Sequence, residues 1–323
     1  MYSESDISIV IPTYNRAEDL RKTLISSKEV IKNVKEVVIV DQSKNDETKN
    51  LIKKMKIANI RYVFSKVPSI ARARNKGAGS LSKGTKIVAF IDDDVDVRID
   101  YLKEILRIFN ENPGAKAVGI YNGSESLSGF NKIENFAKKL FFLGYTENKT
   151  ARITSPYGNT YPGKLNKVVN SQWLPGVNMA YKKEVFNDQK FDENLLGYTV
   201  AEDIDFSYRL YLKNKDGVYL SPFAKVIHRA STVERTPKRR MSYINQVDHF
   251  YFFFKNYNNT FLQRVKFIWS LFGITILRTI KLILSPKKTN YLKWKYYFES
   301  LSYCLSNMEK IRKGKVREFK IVD

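Results

Sequence analysis

The 323 residues are 43% hydrophobic and 13% aromatic, enough for a large packed core, which sets aside an intrinsically disordered chain. A single cysteine, Cys304, excludes a disulfide framework and a cysteine-rich zinc site, and suits a reducing compartment. The formal charge of +23 is uneven: residues 224–323 hold 21 Lys/Arg against 6 Asp/Glu, and residues 1–223 hold 35 against 27.

The first residues, Met1-Tyr-Ser-Glu-Ser-Asp6, lack the basic and apolar regions of a secretory signal, so a cytoplasmic chain is expected. Short apolar runs at 7–11, 36–40, 60–64, 87–91 and 115–120 read as strands, and helical patterns lie between them at 17–32, 46–56, 70–82 and 100–111. This β-α alternation predicts an α/β fold with a mostly parallel central sheet flanked by helices. Residues 121–170 are richer in Gly, Ser, Asn and Tyr and read as a loop-rich insertion around one helix near 131–142. A strand near 176–181 and a helix near 202–213 follow, then a basic, aromatic, mainly helical extension from 236 to 323.

Chemistry-bearing residues gather where strands are expected to end, which is where open α/β sheets place their ligands. Strand one runs into Pro12-Thr-Tyr-Asn-Arg16, with Pro12 expected to stop it. Strand two ends at Asp41, placed to accept a hydrogen bond from a base or to cap a turn. The third helix carries Arg74 and Asn75, cations and amides that suit a diphosphate or a solvated face. Strand four runs into Asp92-Asp-Asp94, three carboxylates that repel one another unless a divalent cation sits between them; alone, they equally suit a solvated acidic turn. Glu202 and Asp203 open a helix, where its dipole favours negative charge, and His228 follows a further short strand. No Gly-x-Gly-x-x-Gly follows strand one, and Gly79–Lys86 fails as a phosphate loop because its Thr and Lys are transposed and it precedes a strand.

In the extension, Phe267–Leu277 is an eleven-residue run without a charge, flanked by Arg264, Lys266, Arg278 and Lys281. That is too short for a clean bilayer span, so an apolar helix lying in a membrane interface is expected, with packing on the catalytic domain or on a second copy of the chain as the alternative.

The order of Pro12-Thr-Tyr-Asn-Arg16, Asp41, Arg74-Asn-x-Gly77, Asp92-Asp-Asp94, Gly176-x-Asn-Met-Ala180, Phe191-Asp-Glu193, Glu202-Asp-x-Asp-x-x-x-Arg209 and a late His228 resembles the inverting family 2 glycosyltransferases of GT-A fold. The resemblance covers residues 6 to about 230, which predicts a GT-A domain over 1–235 with a nucleotide-sugar half to about 120, the insertion, and an acceptor half over 171–235. It implies a nucleotide-sugar donor, a UDP- or dTDP-sugar, held by Pro12, Thr13, Tyr14, Arg16, Asp41, Arg74 and Asn75. Asp93 would meet the ribose; Asp94 with Asp92, and His228, would hold Mg²⁺ or Mn²⁺. Asp203 would be the catalytic base, with Glu202 beside it, and Trp173, Gly176 and Asn178 would line the acceptor pocket. A saccharide or lipid-linked saccharide at the inner membrane face is the expected acceptor, as in cell-surface polysaccharide synthesis, and no nucleic-acid partner is expected. A sugar nucleotidyltransferase would need a Gly-rich basic loop after strand one, which Pro12–Arg16 does not offer. A non-catalytic basic protein binding membrane or nucleic acid would leave the acidic motifs without a role.

Overall fold

Strands of unbroken Val, Ile and Ala need burial on both faces, and the computed structural model provides it. It describes residues 1–121, 132–147, 151–155, 157–233, 236–258 and 260–319. The Gly- and Ser-rich run 122–131, expected as loop, lies outside them. The elements in chain order begin with β1 (Ile7–Thr13), α1 (Ala17–Ser26), α2 (Lys28–Asn33), β2 (Glu36–Asp41), α3 (Glu47–Met55) and β3 (Ile60–Phe64). Then come α4 (Ile70–Gly79), β4 (Ile87–Ile91), β5 (Val95–Val97), α5 (Ile99–Glu111) and β6 (Ala117–Ile120). The middle of the chain supplies α6 (Lys132–Leu140), β7 (Tyr145–Glu147), β8 (Ile153–Ser155), β9 (Gly158–Pro162), β10 (Val169–Asn170), β11 (Asn178–Lys182) and α7 (Val185–Asp188). It closes with α8 (Glu202–Lys213), β12 (Val218–Ser221), β13 (Val226–His228), α9 (Lys238–Asn256), α10 (Phe261–Leu284), α11 (Lys288–Ser306) and α12 (Met308–Arg312).

The chain folds as two compact units. The first takes 1–123, 164–193 and 202–235; the second takes 124–163, 194–201 and 236–323. Most of the segment read from sequence as an insertion thus belongs with the C-terminal helices.

In the first unit an eight-stranded sheet runs β10-β12-β6-β11-β4-β1-β2-β3. The pairs β1–β2, β1–β4, β2–β3 and β6–β12 are parallel; β11 is antiparallel to both β4 and β6. Helices α1, α2 and α5 bury Leu20, Leu24, Val30, Ile31, Tyr101 and Ile105 with one face of the sheet. Helix α4 packs closely because its inward residues are small: a Cβ on Gly77 would stand 2.3 Å from Val10 Cγ1 and 3.2 Å from Val40 Cγ2.

Two local expectations change. Pro12 does not stop β1, which continues to Thr13. The carbonyls of Ile7 and Thr13 face β2, accepting from Lys35 and Gln42, so Pro12 has the opposite parity and faces β4, whose pairing ends at Val10. Its missing N–H falls beyond that ladder. The helix expected over 17–32 breaks at Ser27, whose hydroxyl accepts from the Val97 N–H.

The second unit holds its own core, in which Phe141, Leu143, Tyr157, Ile244, Val247, Phe250, Phe253, Phe267 and Cys304 come together. Phe253 and Phe267 stack at 4.3 Å, and His249 stacks on Tyr157 at 4.6 Å. Asp248, fully buried, is held by Arg317 at 2.6 Å and by the Thr199 hydroxyl at 2.7 Å, which ties residues near 199 and 317 to α9. Helix α10 is longer than the uncharged run suggested. A Thr260/Gln263 capping box starts it, and it spans 24 residues, with mean hydropathy 1.7 over its most apolar stretch. By length and composition it could cross a membrane.

Candidate active site

Every residue singled out from the sequence as a site residue lies in the first unit. The acidic triplet occupies the tight turn between β4 and β5, at the carboxyl edge of the parallel strands. Antiparallel pairing of β13 with β5 sets His228 opposite Val95. His228 Nε2 consequently lies 3.2 Å from Asp94 Oδ1. Asp94 Oδ2 accepts from the Ser231 N–H at 2.8 Å, and the Arg229 N–H donates to the Asp94 carbonyl at 2.9 Å. Burial opposes its charge, but His228 and the Ser231 N–H hold the Asp94 carboxyl down to about 2. The same carboxylate lifts the His228 imidazole above its ordinary value.

Asp93 turns the other way, accepting from the Thr13 hydroxyl at 2.7 Å with Arg16 3.4 Å off. Burial pushes its carboxyl up to about 7 in spite of both partners. Arg16 also donates to the Val233 carbonyl at 3.0 Å and lies 3.9 Å from Asp94. Tyr14 is half-buried beside them in sequence, and Pro12 is buried in β1.

Arg74, 1% exposed on α4, joins the triplet to the start of α8. One guanidinium nitrogen donates to Glu202 Oε1 at 2.8 Å; the other donates to Asp92 Oδ1 at 3.2 Å and to the Gly176 carbonyl at 2.8 Å. Burial disfavours its charge, yet the carboxylates of Glu202 and Asp92 outweigh that and stabilise the cation. Burial and the neighbouring Asp203 charge push Glu202 up, and its Oε2 has no hydrogen-bond partner among the described residues. Asp203, half-buried, is also pushed up by burial, against Arg74 and the backbone N–H groups of Ile204 and Gly176. Gly176 is needed at this point: a Cβ there would meet Asp203 Oδ2 at 2.7 Å.

Several sequence expectations need correction. Arg74 is neither a solvated cation nor open to a diphosphate, being enclosed by Glu202, Asp92 and Gly176. Asp92 faces Arg74 instead of joining Asp94 and His228, and among the described residues no three His, Cys, Asp or Glu side chains form a metal-ligating group. Asp41 is fully buried, with its oxygens taken by the Tyr62 hydroxyl and the Ser43 N–H, both at 2.9 Å. Asn75 brackets the Phe191 backbone, donating to its carbonyl and accepting from its N–H at 2.9 Å each. Asn178, 1% exposed, does the same to Ile120 on the neighbouring strand. Trp173 is buried, 4% exposed, with Tyr121 edge-on to it at a ring-centroid distance of 6.4 Å, which leaves little of it to line a pocket.

The sequence reading missed Arg229, which pairs with Asp96 and donates to the Thr23 hydroxyl at 2.7 Å, while Thr23 donates to the Asp93 carbonyl at 2.7 Å. Together they brace the triplet turn from behind. The only signal was an arginine directly after a candidate histidine.

With this arrangement described, likeness to known proteins can be weighed. The pattern of glycosyl transferase family 2 matches residues 8–189, more than half of the chain and both β1 and the triplet turn. The chain belongs to that family. Glycosyltransferase GlyA of Streptococcus pneumoniae serotype 4 (strain ATCC BAA-334 / TIGR4) is 26% identical over 228 residues, 68% of this chain. The chain spans only 30% of the length of that curated relative. Among solved structures, the mannosyltransferase PcManGT from Pyrobaculum calidifontis, in complex with GDP-Man and Mn²⁺, superposes with a TM-score of 0.55 at 12% identity, covering 99% of this chain and 89% of its own. Glucosyl-3-phosphoglycerate synthase from Mycobacterium tuberculosis, with Mn²⁺, UDP-glucose and phosphoglyceric acid, gives 0.51 at 16% identity, covering 76% and 77%. These likenesses show the GT-A fold for this family 2 chain.

Proposed function

We propose that this family 2 chain is a metal-dependent, inverting glycosyltransferase that moves a sugar from a nucleotide-diphosphate donor to a hydroxyl acceptor. The observation that carries the reading is the Arg74 guanidinium, which puts Asp92, the Gly176 carbonyl and the first residue of α8 within the span of one side chain. It explains why an acidic turn and an acidic helix start, 110 residues apart in sequence, work as one site.

Thr13 and Arg16 hold Asp93 at the carboxyl edge of the sheet, and the family resemblance assigns it to the donor's ribose. Asp94 and His228 would offer a divalent cation one carboxylate oxygen and one imidazole nitrogen, a donor set that suits Mn²⁺ better than Mg²⁺. A divalent cation bound there supplies Lewis-acid neutralisation of the departing diphosphate. Asp203 takes the proton of the acceptor hydroxyl as that oxygen attacks the anomeric carbon. Its raised pKa makes it a stronger base than an exposed aspartate. Attack from the face opposite the leaving group inverts the anomeric centre in one displacement. Glu202 stays paired with Arg74 and positions it, and Gly176 leaves room for Asp203 beside the acceptor. A saccharide carried on a lipid at the inner membrane face fits a chain whose excess of Lys/Arg over Asp/Glu is greatest beyond 236, and so does synthesis of a cell-surface glycan.

Thermal unfolding with a panel of UDP-, dTDP- and GDP-sugars, with Mn²⁺ or with chelator, tests the donor and cation assignments. A matching donor at a hundredfold excess over its Kd stabilises the wild-type protein by about 2.7 kcal/mol, only when Mn²⁺ is present. Asp94→Asn and His228→Ala lose that metal-dependent gain. Equal stabilisation in chelator, or in both variants, would contradict it.

A further inference from the structure

Among the described residues, helices α6 and α10 of the second unit carry a large set of exposed apolar side chains that the site does not use. On α6, Ile133 (79% exposed), Phe136 (70%) and Leu140 recur at helical spacing on one face. On α10 the stripe runs through Phe261, Leu262, Val265, Ile268 (63%), Trp269, Phe272, Ile280, Ile283 (71%) and Leu284. The two faces adjoin. The Trp269 indole donates to the Leu140 carbonyl at 2.9 Å, Phe141 packs 5.2 Å from Trp269, and Gly273 has no side chain so that the Phe141 ring can sit against it.

Cations surround this surface. Arg264 and Lys266 stand on the first half of α10, Lys281 in its last turn, Lys287 and Lys288 just beyond it at the start of α11, and Lys132 and Lys139 on α6, which also carries Glu134. Lys138 pairs with Glu134 on the same helix at 3.0 Å. From 249 to 298 the sequence holds nine Lys/Arg and no Asp or Glu. Aliphatic and aromatic side chains with Lys and Arg beside them match the acyl boundary and the phosphates of a bilayer. Two copies meeting through this face would set like charges against each other. A nucleic acid would set its phosphates against the exposed Ile133, Ile268, Ile280 and Ile283, apolar side chains that it cannot bury.

The opposite side of α10 is already engaged. Ser270 and Gly273 are buried, the Thr275 hydroxyl is 3.0 Å from that of Tyr297, and Arg278 donates to the Lys293 carbonyl at 3.1 Å while lying over the Tyr297 ring. Crossing a membrane would strip all of these; lying flat on one keeps them. We infer that α6 and α10 form a docking surface that lies in the interface of an anionic lipid bilayer, with α10 parallel to the membrane plane. This inference stands apart from the proposed reaction and does not depend on it.

Flotation of the full chain with vesicles tests it. Wild-type protein is expected to float with vesicles of phosphatidylglycerol and phosphatidylcholine in equal parts, and to bind phosphatidylcholine alone roughly tenfold more weakly. Ile268→Glu with Ile283→Glu lowers the bound fraction about tenfold or more, since each exposed side chain that reaches the acyl boundary contributes on that order. Lys281→Gln with Lys287→Gln and Lys288→Gln removes most of the preference for anionic lipid and keeps the Tm, a second arm that holds even should the first variant fold poorly. Wild-type protein that stays with the aqueous fraction, or variants that bind as wild type does, would overturn the inference. So would a dimer, seen by light scattering, that the isoleucine substitutions dissociate, because the face would then belong to a second copy.

Discussion

At Asp203 two influences oppose each other: burial favours the neutral acid, and the Arg74 guanidinium favours the carboxylate. A general base works only when deprotonated, so transfer falls as pH drops through its pKa. Burial places that pKa above the ordinary aspartate value of about 3.9, and the acid limb of kcat/KM against pH belongs there. Replacing Arg74 by Gln removes the charge that lowers it, so the acid limb should move to higher pH. Profiles for the two proteins that overlay would show that Arg74 does not act on the base. Of this cluster, the sequence displayed the residue types but not their partnerships. Asp203, Asp94 and His228 stood out through charge and position after strands or at a helix start. That Arg74 would be buried between Glu202 and Asp92 was not visible, because those partners lie 128 and 18 residues away.

Helix α4 shows the same limit one level up. Its sequence, Ile70-Ala-Arg-Ala-Arg-Asn-Lys-Gly-Ala-Gly79, reads as a basic solvated helix, yet Ala71, Ala73, Arg74, Gly77 and Ala78 are buried. Small residues bring its backbone close to β1 and β2, and this closeness lets Arg74 reach under the triplet turn. Gly77→Ala puts a methyl group 2.3 Å from Val10 Cγ1, so it should cost about 1–3 kcal/mol of unfolding free energy, read from the urea midpoint. An unchanged midpoint would mean that α4 has slack against the sheet. The strands were the most legible elements, since a continuous apolar run such as 87–91 is what burial on both faces demands, whereas 60–64, with Arg61 in it, forms the half-exposed edge strand β3. Asn75 and Asn178 were misread for a related reason: an amide that mends backbone hydrogen bonds across the fold looks, in sequence, like one that binds a ligand.

Taken as a whole, the molecule divides its charge and its chemistry between two units. All candidate catalytic residues lie in the first, and residues 236–323 contribute 18 Lys/Arg against 5 Asp/Glu to the second. Composition revealed the basic tail, but not that most of the segment 121–170 joins it, since that grouping depends on packing between α6, β8 and α10. The family assignment rests on residues 8–189, so Asp203 and His228 lie beyond the matched stretch, and their proposed roles rest on the motif resemblance and on the geometry around them. The direct test of those roles is the turnover of Asp203→Asn measured at saturating donor and Mn²⁺, with donor affinity determined in the same preparation. The expected result is donor binding close to wild type and transfer slower by about 10²–10⁴-fold. Turnover near that of the wild-type protein would contradict the assignment of Asp203 as the base.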